Sequence, residues 1–144
     1  MNNRYLYRAK HVHAFDVNKK YDGWVYGYLS CENYIYSPIF GAEKLIDPNT
    51  ICQCTGLKDK NGKLIWENDI IKYHFGDAYA PIKYGEYQSC FDSTSTGHIG
   101  FYVDWRGTKK ENMRKDLGYW INMIGAEVVG NIFNNPDLLE VDHE

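Results

Sequence analysis

The sequence predicts a mainly β protein, and three observations point to that class. Aromatic residues make up 16% of the 144 residues, with 13 Tyr and 4 Trp, and such rings favour the half-buried surface of a strand. Two-residue alternation, which is typical of strands, recurs along the chain. Segments rich in Gly, Asn and Asp separate the alternating runs and predict turns. With an apolar share of 44%, the chain can build a core, so disorder throughout is excluded.

The first third of the chain predicts a hairpin and a third strand. Residues 5–10 alternate as a strand does, and the pair Asp22-Gly23 supplies a turn because Gly accepts positive φ at little cost. Residues 24–29 follow as the second strand, with three aromatic rings on one face. Residues 34–36 form a short third strand, which Pro38 ends.

The middle of the chain predicts a second series of strands. Residues 51–55 are extended, and the pair Asn61-Gly62 is the strongest hairpin signal in the sequence. Residues 64–66 return from that turn. Two further strands are predicted at residues 69–73 and 82–84.

The last third predicts a loop, two strands and a helical turn. Small polar residues at 89–97 indicate the loop, and residues 99–105 then alternate as the clearest half-buried strand of the chain. A final strand is predicted at residues 128–133. Residues 135–139 resemble a capped helical turn, with Pro136 at its first position.

One helix is predicted between those two strands. Thr108 and Glu111 fit a capping box, in which the two side chains satisfy free amides at a helix start. Met113 and Leu117 are four residues apart, so they share a face, and Gly118 is the predicted stop.

Charge and composition restrict the compartment and the partners. The net charge of −3 disfavours a DNA-coating role, which usually requires a strong basic excess. Residues 1–8 lack the apolar core of a signal peptide, and no apolar run reaches the length of a membrane span. The prediction is therefore a cytoplasmic protein, away from the membrane, with reduced thiols. The four cysteines are Cys31, Cys52, Cys54 and Cys90.

Four stretches, taken together, resemble the YopX family of phage and prophage proteins: residues 24–28, 55–63, 66–71 and 127–139. The resemblance implies a small SH3-type β-barrel over residues 49–144 and an N-terminal β-hairpin extension over residues 1–48. It also implies a bacterial host cell, and it implies no established enzymatic activity and no cofactor.

The chain departs from the family pattern at two positions. Cys54 stands where an aromatic residue is common, and Asn68 stands where Gly is common. Asn68 must then carry the turn geometry, which Asn tolerates better than most residues.

The cysteines raise the question of a zinc site. Cys52 and Cys54 are two apart on a predicted strand, so both thiols face the same way, and Cys31, Cys90 or His74 would complete a ligand set. Structural zinc sites usually use Cys pairs two to four residues apart on knuckles, and free cysteine is among the most buried residue types. Buried thiols are therefore the preferred interpretation.

Three other patterns are weak. Residues 56–63 differ from a phosphate-binding loop in their glycine spacing, and no Ser or Thr follows the Lys. Residues 92–97 imitate half of a calcium loop, but Val103 stands where a bidentate Glu is needed. His11 and His13 share a strand face, and a solvated pair is the preferred interpretation.

A metal-dependent hydrolase is the second alternative function. Glu67 and Asp69 lie beside Trp66, and paired carboxylates next to a ring suit acid–base chemistry on a sugar or peptide. No partner nucleophile or pocket accompanies them in the sequence, so charged residues at a sheet edge are the preferred interpretation.

Nucleic-acid binding is the first alternative function. A basic cluster flanked by rings suits single strands, because cations bind phosphates while rings stack on bases. A solvated helix carries such charges as well, and the rings suit a core equally. The residues predicted for this site are Trp105, Arg106, Lys109, Lys110, Arg114, Lys115 and Trp120.

The leading hypothesis is a non-catalytic interaction or accessory module, with no catalytic residue, cofactor or metal assigned. Small β-barrels bind peptides or nucleic acid through aromatic grooves, and aromatic residues are abundant in this chain. The partner is an unknown protein or nucleic acid. Exposed sheet edges and aromatic surface also make a homo-oligomer a reasonable expectation.

Overall fold

The computed structural model describes residues 5–12, 23–73, 78–88, 97–105 and 115–140. The chain divides into two compact units, Met1–Gly56 (unit 1) and Leu57–Glu144 (unit 2). Ten strands are described: β1 (Tyr7–Lys10), β2 (Trp24–Cys31), β3 (Tyr34–Ser37), β4 (Ala42–Leu45), β5 (Cys52–Lys58), β6 (Leu64–Trp66), β7 (Asp69–Lys72), β8 (Tyr79–Tyr87), β9 (His98–Val103) and β10 (Glu127–Asn131). Three short helical turns accompany them, namely Pro48–Thr50, Tyr119–Met123 and Pro136–Leu139.

Unit 1 is an antiparallel sheet with the strand order β4-β3-β2-β1-β5. Its hydrophobic core lies on one face of that sheet and consists of Ala9, Val25, Ile35 and Ile46. A bridge between His11 and Ile46 joins the end of β1 to the residue that follows β4. The backbone N–H of Val12 also donates to the carbonyl of Leu45 at 3.1 Å. These contacts bring the end of β1 beside the end of β4. On the face opposite the core, Arg8, Trp24 and Cys52 are buried, and the exposed part of that face is formed by β2 and β3.

Unit 2 contains a four-stranded antiparallel sheet with the order β10-β7-β8-β9. The pairing of β10 with β7 shifts between Val128 and Gly130, which is a bulge. Strand β6 returns beside β5 after a turn in which the N–H of Asp59 donates to the carbonyl of Lys63 at 2.9 Å. Gly62 adopts φ 80° in that turn, as the Asn-Gly pair predicts.

Two tryptophans occupy the centre of the unit 2 core. Trp105 is fully buried and Trp120 is 1% exposed. Their ring centroids are 4.9 Å apart with an interplanar angle of 56°, and Tyr73 packs edge-on against Trp120 at 5.7 Å. Apolar residues from β6, β7, β8, β9 and β10 surround them, including Ile65, Ile71, Ile82, Val103 and Val128.

The structure confirms the mainly β class, and the described strands form open antiparallel sheets. Among the described residues no closed barrel forms, so the SH3-type barrel is not confirmed. The β1–β2 hairpin, the third strand, the Asn61-Gly62 hairpin and the turn starting at Pro136 are all present.

One prediction about an individual element is wrong, and one strand was missed. Gly118 does not stop a helix, because a helical segment runs through it and continues as a π-helical turn to Met123. Strand β4 was not predicted, since Ala42–Leu45 reads AEKL and lacks a clear alternation. The loop predicted at 89–97 and most of the helix predicted from Thr108 lie outside the described residues.

Candidate functional site: an exposed tyrosine face

The face of the unit 1 sheet opposite its core carries four tyrosines on β2 and β3, which we call the tyrosine face: Tyr26, Tyr28, Tyr34 and Tyr36. Each side chain is between 36% and 42% exposed. In β2, Val25 and Gly27 alternate with Tyr26 and Tyr28 and are buried. In β3 Ile35 and Ser37 alternate with the tyrosines in the same way. Period-two alternation therefore sends the small and aliphatic side chains to the core and the rings outward.

Strand register brings the rings together. Tyr28 pairs directly with Tyr36 across β2 and β3, and Tyr36 pairs with Glu43 of β4. Directly paired residues of antiparallel strands share a face, with Cβ atoms about 5 Å apart. Tyr28, Tyr36 and Glu43 thus form one continuous row across three strands, which we call the Tyr-Tyr-Glu row.

Gly27 is the residue that permits this close packing. A Cβ built on Gly27 would overlap the backbone carbonyl oxygen of Tyr36 and lie 3.2 Å from Cγ2 of Ile35. The pairing of β2 with β3 therefore requires a residue without a side chain at this position. Because a glycine inside a strand is typical of such a close approach, Gly27 is the signal in the sequence that points to this site.

Cations lie over two other rings of unit 1, Trp24 and Phe40. The guanidinium Cζ of Arg8 and the Nζ of Lys10 each lie 4.5 Å from the ring centroid of Trp24. Nζ of Lys44, in β4, lies 4.9 Å from the ring centroid of Phe40, in the turn between β3 and β4. Such contacts stabilise the folded state by about 0.5–1 kcal/mol each at exposed sites, and by more where the cation is desolvated.

The structure places the predicted nucleic-acid residues in different environments. Trp105 and Trp120 lie in the core, so neither ring is available to stack on a base, and that part of the prediction needs correction. The carbonyl of Lys115 accepts from the N–H of Val103 at 2.7 Å. The other predicted residues, Arg106, Lys109, Lys110 and Arg114, lie outside the described residues, and their role stays a prediction.

Asp69, one of the two carboxylates predicted for a hydrolase, stabilises a turn. Asp69 is 2% exposed, and its Oδ2 accepts from the N–H of Trp66 at 2.8 Å. Between them, Asn68 has φ 70°, which confirms that it carries the turn geometry. Its backbone N–H donates to Ile82 at 2.7 Å, and its carbonyl accepts from Ile132 at 3.0 Å. The turn at residues 66–69 is therefore hydrogen-bonded to β8 and to the residue that follows β10.

Asp59 has a similar structural role in the turn between β5 and β6. The residue is 6% exposed. Its Oδ1 accepts from the N–H groups of Asn61 and Lys63 at 2.9 and 3.0 Å. Its Oδ2 accepts from the N–H of Val128 at 3.1 Å. Residues 56–63 therefore form the end of β5 and a hairpin turn that contains a buried carboxylate, as the Asn61-Gly62 pair predicts.

The two strand cysteines are buried, as we expected for apolar thiols. Cys52 and Cys54 are both fully buried, whereas Cys31 is exposed. The thiol of Cys52 donates to the carbonyl of Thr50 at 3.3 Å. Within the described ranges no three His, Cys, Asp or Glu side chains come together as a metal-binding group. Cys90, His13 and His74 lie outside those ranges.

The helical turns are too short to span a lipid bilayer. In the described part of the chain, no helix has both the length and the apolar character needed to cross a membrane.

Comparison with known proteins identifies the family. A comparison with curated proteins finds no match. The model of the family described as YopX protein matches residues 3–140, which is nearly the whole chain and includes both the tyrosine face and the turns at Asp59 and Asn68. The resemblance carried by the four sequence stretches is therefore confirmed, and the chain belongs to the YopX protein family.

Proposed function

We propose that this protein is a non-catalytic interaction module of phage or prophage origin, and that it binds a protein partner through the tyrosine face. The observation that carries the proposal is the arrangement of four partly exposed rings on one face of the unit 1 sheet. The cytoplasm of a bacterial host is the proposed compartment. The proposal depends on the sheet face and requires no closed barrel.

Tyrosine suits a binding surface for a physical reason. Its ring offers a large apolar area with few rotatable bonds, and its hydroxyl offers a hydrogen bond at the rim. Tyrosine is accordingly enriched in protein interfaces, and truncation of interface tyrosines often causes large losses of affinity. A contiguous group of four exposed rings is more than the scattered apolar residues that ordinary surfaces show.

The roles of the polar motif residues support a non-catalytic function. Asp59 and Asp69 are buried acceptors for backbone N–H groups, and Asn131 accepts from Phe133 and Asn134 in the turn after β10. Each of these side chains uses its oxygens to accept hydrogen bonds from backbone N–H groups. A catalytic group instead needs access to a substrate.

The test is capture of partners from cells in which the prophage is induced, with three forms of the tagged protein. The double variant Tyr28→Ser/Tyr36→Ser removes the rings of the Tyr-Tyr-Glu row. The matched control is Tyr84→Ser, which removes a tyrosine that is 54% exposed on β8. We expect the wild type and the control to retain the same protein, and the double variant to lose it.

The folded state of each variant is checked by circular dichroism before capture. Retention of the same partner by a folded double variant would contradict the proposal. Loss of the partner from the Tyr84→Ser control as well would also contradict it, because the effect would then not be specific to the tyrosine face.

A further inference from the structure

We infer that Asn61 is a site of spontaneous deamidation, and that the folded β5–β6 turn slows the reaction by restraining both reacting groups, with Glu127 restraining the side-chain amide. The inference is independent of the proposed function, because it concerns unit 2 and not the tyrosine face. It rests on the only Asn-Gly pair of the sequence and on the hydrogen bonds around that pair.

An Asn-Gly pair is chemically labile in water. The backbone nitrogen of Gly62 forms a bond to Cγ of Asn61, while the bond from Cγ to Nδ2 breaks and ammonia leaves with the proton of the Gly62 nitrogen. Water then opens the cyclic imide and leaves aspartate or isoaspartate at residue 61. Asparagine is among the thermolabile residues, and glycine hinders the attack least because it has no Cβ beside the attacking nitrogen.

The attacking nitrogen is held in the turn. The N–H of Gly62 donates to the carbonyl of Asp59 at 3.0 Å. The carboxylate of Asp59 holds the same turn, because its Oδ1 accepts from the N–H groups of Asn61 and Lys63 at 2.9 and 3.0 Å. The nitrogen must lose its proton before it attacks, and a hydrogen-bonded N–H exchanges its proton only when the local structure opens. The nucleophile therefore becomes available only when the turn opens.

The side-chain amide of Asn61 is held by a distant strand. Its Nδ2 donates to Oε2 of Glu127, the first residue of β10, at 3.2 Å. Nδ2 is the leaving group of the reaction, and its bond to Glu127 restrains the rotation of the amide that ring closure needs. Because 66 positions separate the two residues, an unfolded chain has no fixed equivalent of this contact.

Hydrogen bonds, and not burial, provide the protection. Asn61 and Gly62 are both exposed, so the water that opens the imide reaches them. A hydrogen bond of ordinary net strength slows a reaction about two- to ten-fold when the bond must open first. The fold therefore slows this modification and does not abolish it.

Deamidation would weaken the contact with β10. Aspartate at residue 61 places a carboxylate where Nδ2 now meets Oε2 of Glu127, and the like charges repel each other. Isoaspartate also adds a methylene group to the backbone between residues 61 and 62, which displaces the N–H of Gly62 from the carbonyl of Asp59. Either product loosens the β5–β6 turn.

The rate of deamidation is measured by chromatography and mass spectrometry of peptides that contain residue 61, after incubation at mildly alkaline pH. Each protein is incubated in the native state and in guanidinium chloride. Glu127→Ala removes the acceptor, whereas Glu127→Gln keeps an acceptor and removes the charge. Glu140→Ala is the control for the removal of an exposed carboxylate elsewhere.

We expect the native wild type to deamidate at Asn61 at least about ten-fold more slowly than the same chain in guanidinium chloride. Glu127→Ala should speed the native reaction about three-fold. Glu127→Gln and Glu140→Ala should react at close to the wild-type rate. In guanidinium chloride the wild type and all variants should react equally fast, because the contacts are then absent.

The inference fails on any of the following results. Equal rates in the native and the unfolded wild type would show that the turn does not restrain the reacting groups. A native rate for Glu127→Ala no higher than that of Glu140→Ala would show that Glu127 does not restrain the amide. A Glu127→Gln rate as high as that of Glu127→Ala would assign the effect to charge and not to the hydrogen bond. The wild-type comparison needs no substitution, so it tests the turn independently of the stability of the variants.

Discussion

The carboxylate of Asp59 accepts a hydrogen bond from the backbone N–H of Val128 at 3.1 Å, across 69 positions of the sequence. This bond joins the β5–β6 turn to the start of β10. Because the same carboxylate also accepts two N–H groups of its own turn, one buried side chain organises two distant parts of unit 2.

Asp59→Ala is therefore expected to destabilise the protein strongly. The substitution leaves three backbone donors without their acceptor, and an unsatisfied buried donor costs about 1–3 kcal/mol. We expect the free energy of unfolding to fall by about 3 kcal/mol, measured by urea denaturation. Lys60→Ala, at an exposed position of the same turn, is the control and should change the stability by less than about 0.5 kcal/mol. Similar losses for the two variants would refute a structural role of the carboxylate.

A pair of substitutions at Asn68 tests the positive φ of that residue. Asn68→Gly and Asn68→Ala both remove the hydrogen bond from Nζ of Lys83 to Oδ1, which is 2.8 Å long. They differ in the cost of φ 70°, which is about 1–2 kcal/mol higher for a residue with a Cβ. We expect Asn68→Ala to be less stable than Asn68→Gly by about 1 kcal/mol in thermal or urea unfolding. Equal stability of the two variants would mean that the turn adopts another conformation.

Gly27→Ala is expected to disturb the pairing of β2 with β3. The new methyl group would meet the backbone of Tyr36, which cannot rotate away as a side chain can. Overpacking of this kind costs about 1–3 kcal/mol. The control is Gly100→Ala in β9, where a Cβ meets nothing within 4 Å. Hydrogen exchange followed by mass spectrometry should show faster exchange in 24–37 for Gly27→Ala only, and unchanged exchange there would contradict the close approach.

Trp105→Ala separates a core role from a surface role. Removal of a fully buried Trp is expected to lower the free energy of unfolding by about 3–5 kcal/mol, measured by urea denaturation. Ile99→Ala is the control, because Ile99 is apolar but 77% exposed, and it should change the stability by less than about 0.5 kcal/mol. If Trp105 were an exposed ring available to stack on a nucleic-acid base, its removal would affect stability as little as Ile99→Ala does. A small decrease in the free energy of unfolding for Trp105→Ala would therefore contradict its position in the core.

The burial of the cysteines predicts their reactivity. In a Cys90→Ser variant, a thiol reagent should label Cys31 at the rate of a free exposed thiol. Cys52 and Cys54 are fully buried, so they should react only after denaturation, because the reagent needs access to the thiolate. Rapid labelling of all three thiols in the native protein would contradict the described environment of β5.

Local signals in the sequence predicted most of the strands and turns. Gly62 in the Asn-Gly turn, Asn68 at positive φ and Pro136 at the start of a helical turn all have the predicted conformation. Each of these conformations depends on the steric limits of one or two residues, so the local sequence is enough to predict it. The predicted helix end at Gly118 was wrong because the helical segment continues to Trp120 and Ile121, which pack into the core. The low helix propensity of a single Gly is a weak effect beside that packing.

The tyrosines of the candidate site were not among the predicted site residues, although the alternation in residues 24–29 predicted aromatic rings on one face. The alternation of Tyr26 with Tyr28 and of Tyr34 with Tyr36 is visible in the sequence and already puts the rings of each strand on one side. The pairing of Tyr28 with Tyr36, and of Tyr36 with Glu43, depends on the register of the hairpins and on an unpredicted strand, β4. The domain boundary predicted at residues 48 and 49 stays a prediction.

The sequence by itself determined that this chain forms antiparallel strands joined by Gly- and Asn-containing turns, and that it resembles the YopX family. Only the tertiary structure decided which aromatic rings are buried and which are exposed to solvent. Trp105 and Trp120 are buried, whereas Tyr28 and Tyr36 are exposed, although all four lie in aromatic-rich segments. Alternation divides a strand into two faces, but only the elements that pack against a face remove it from water.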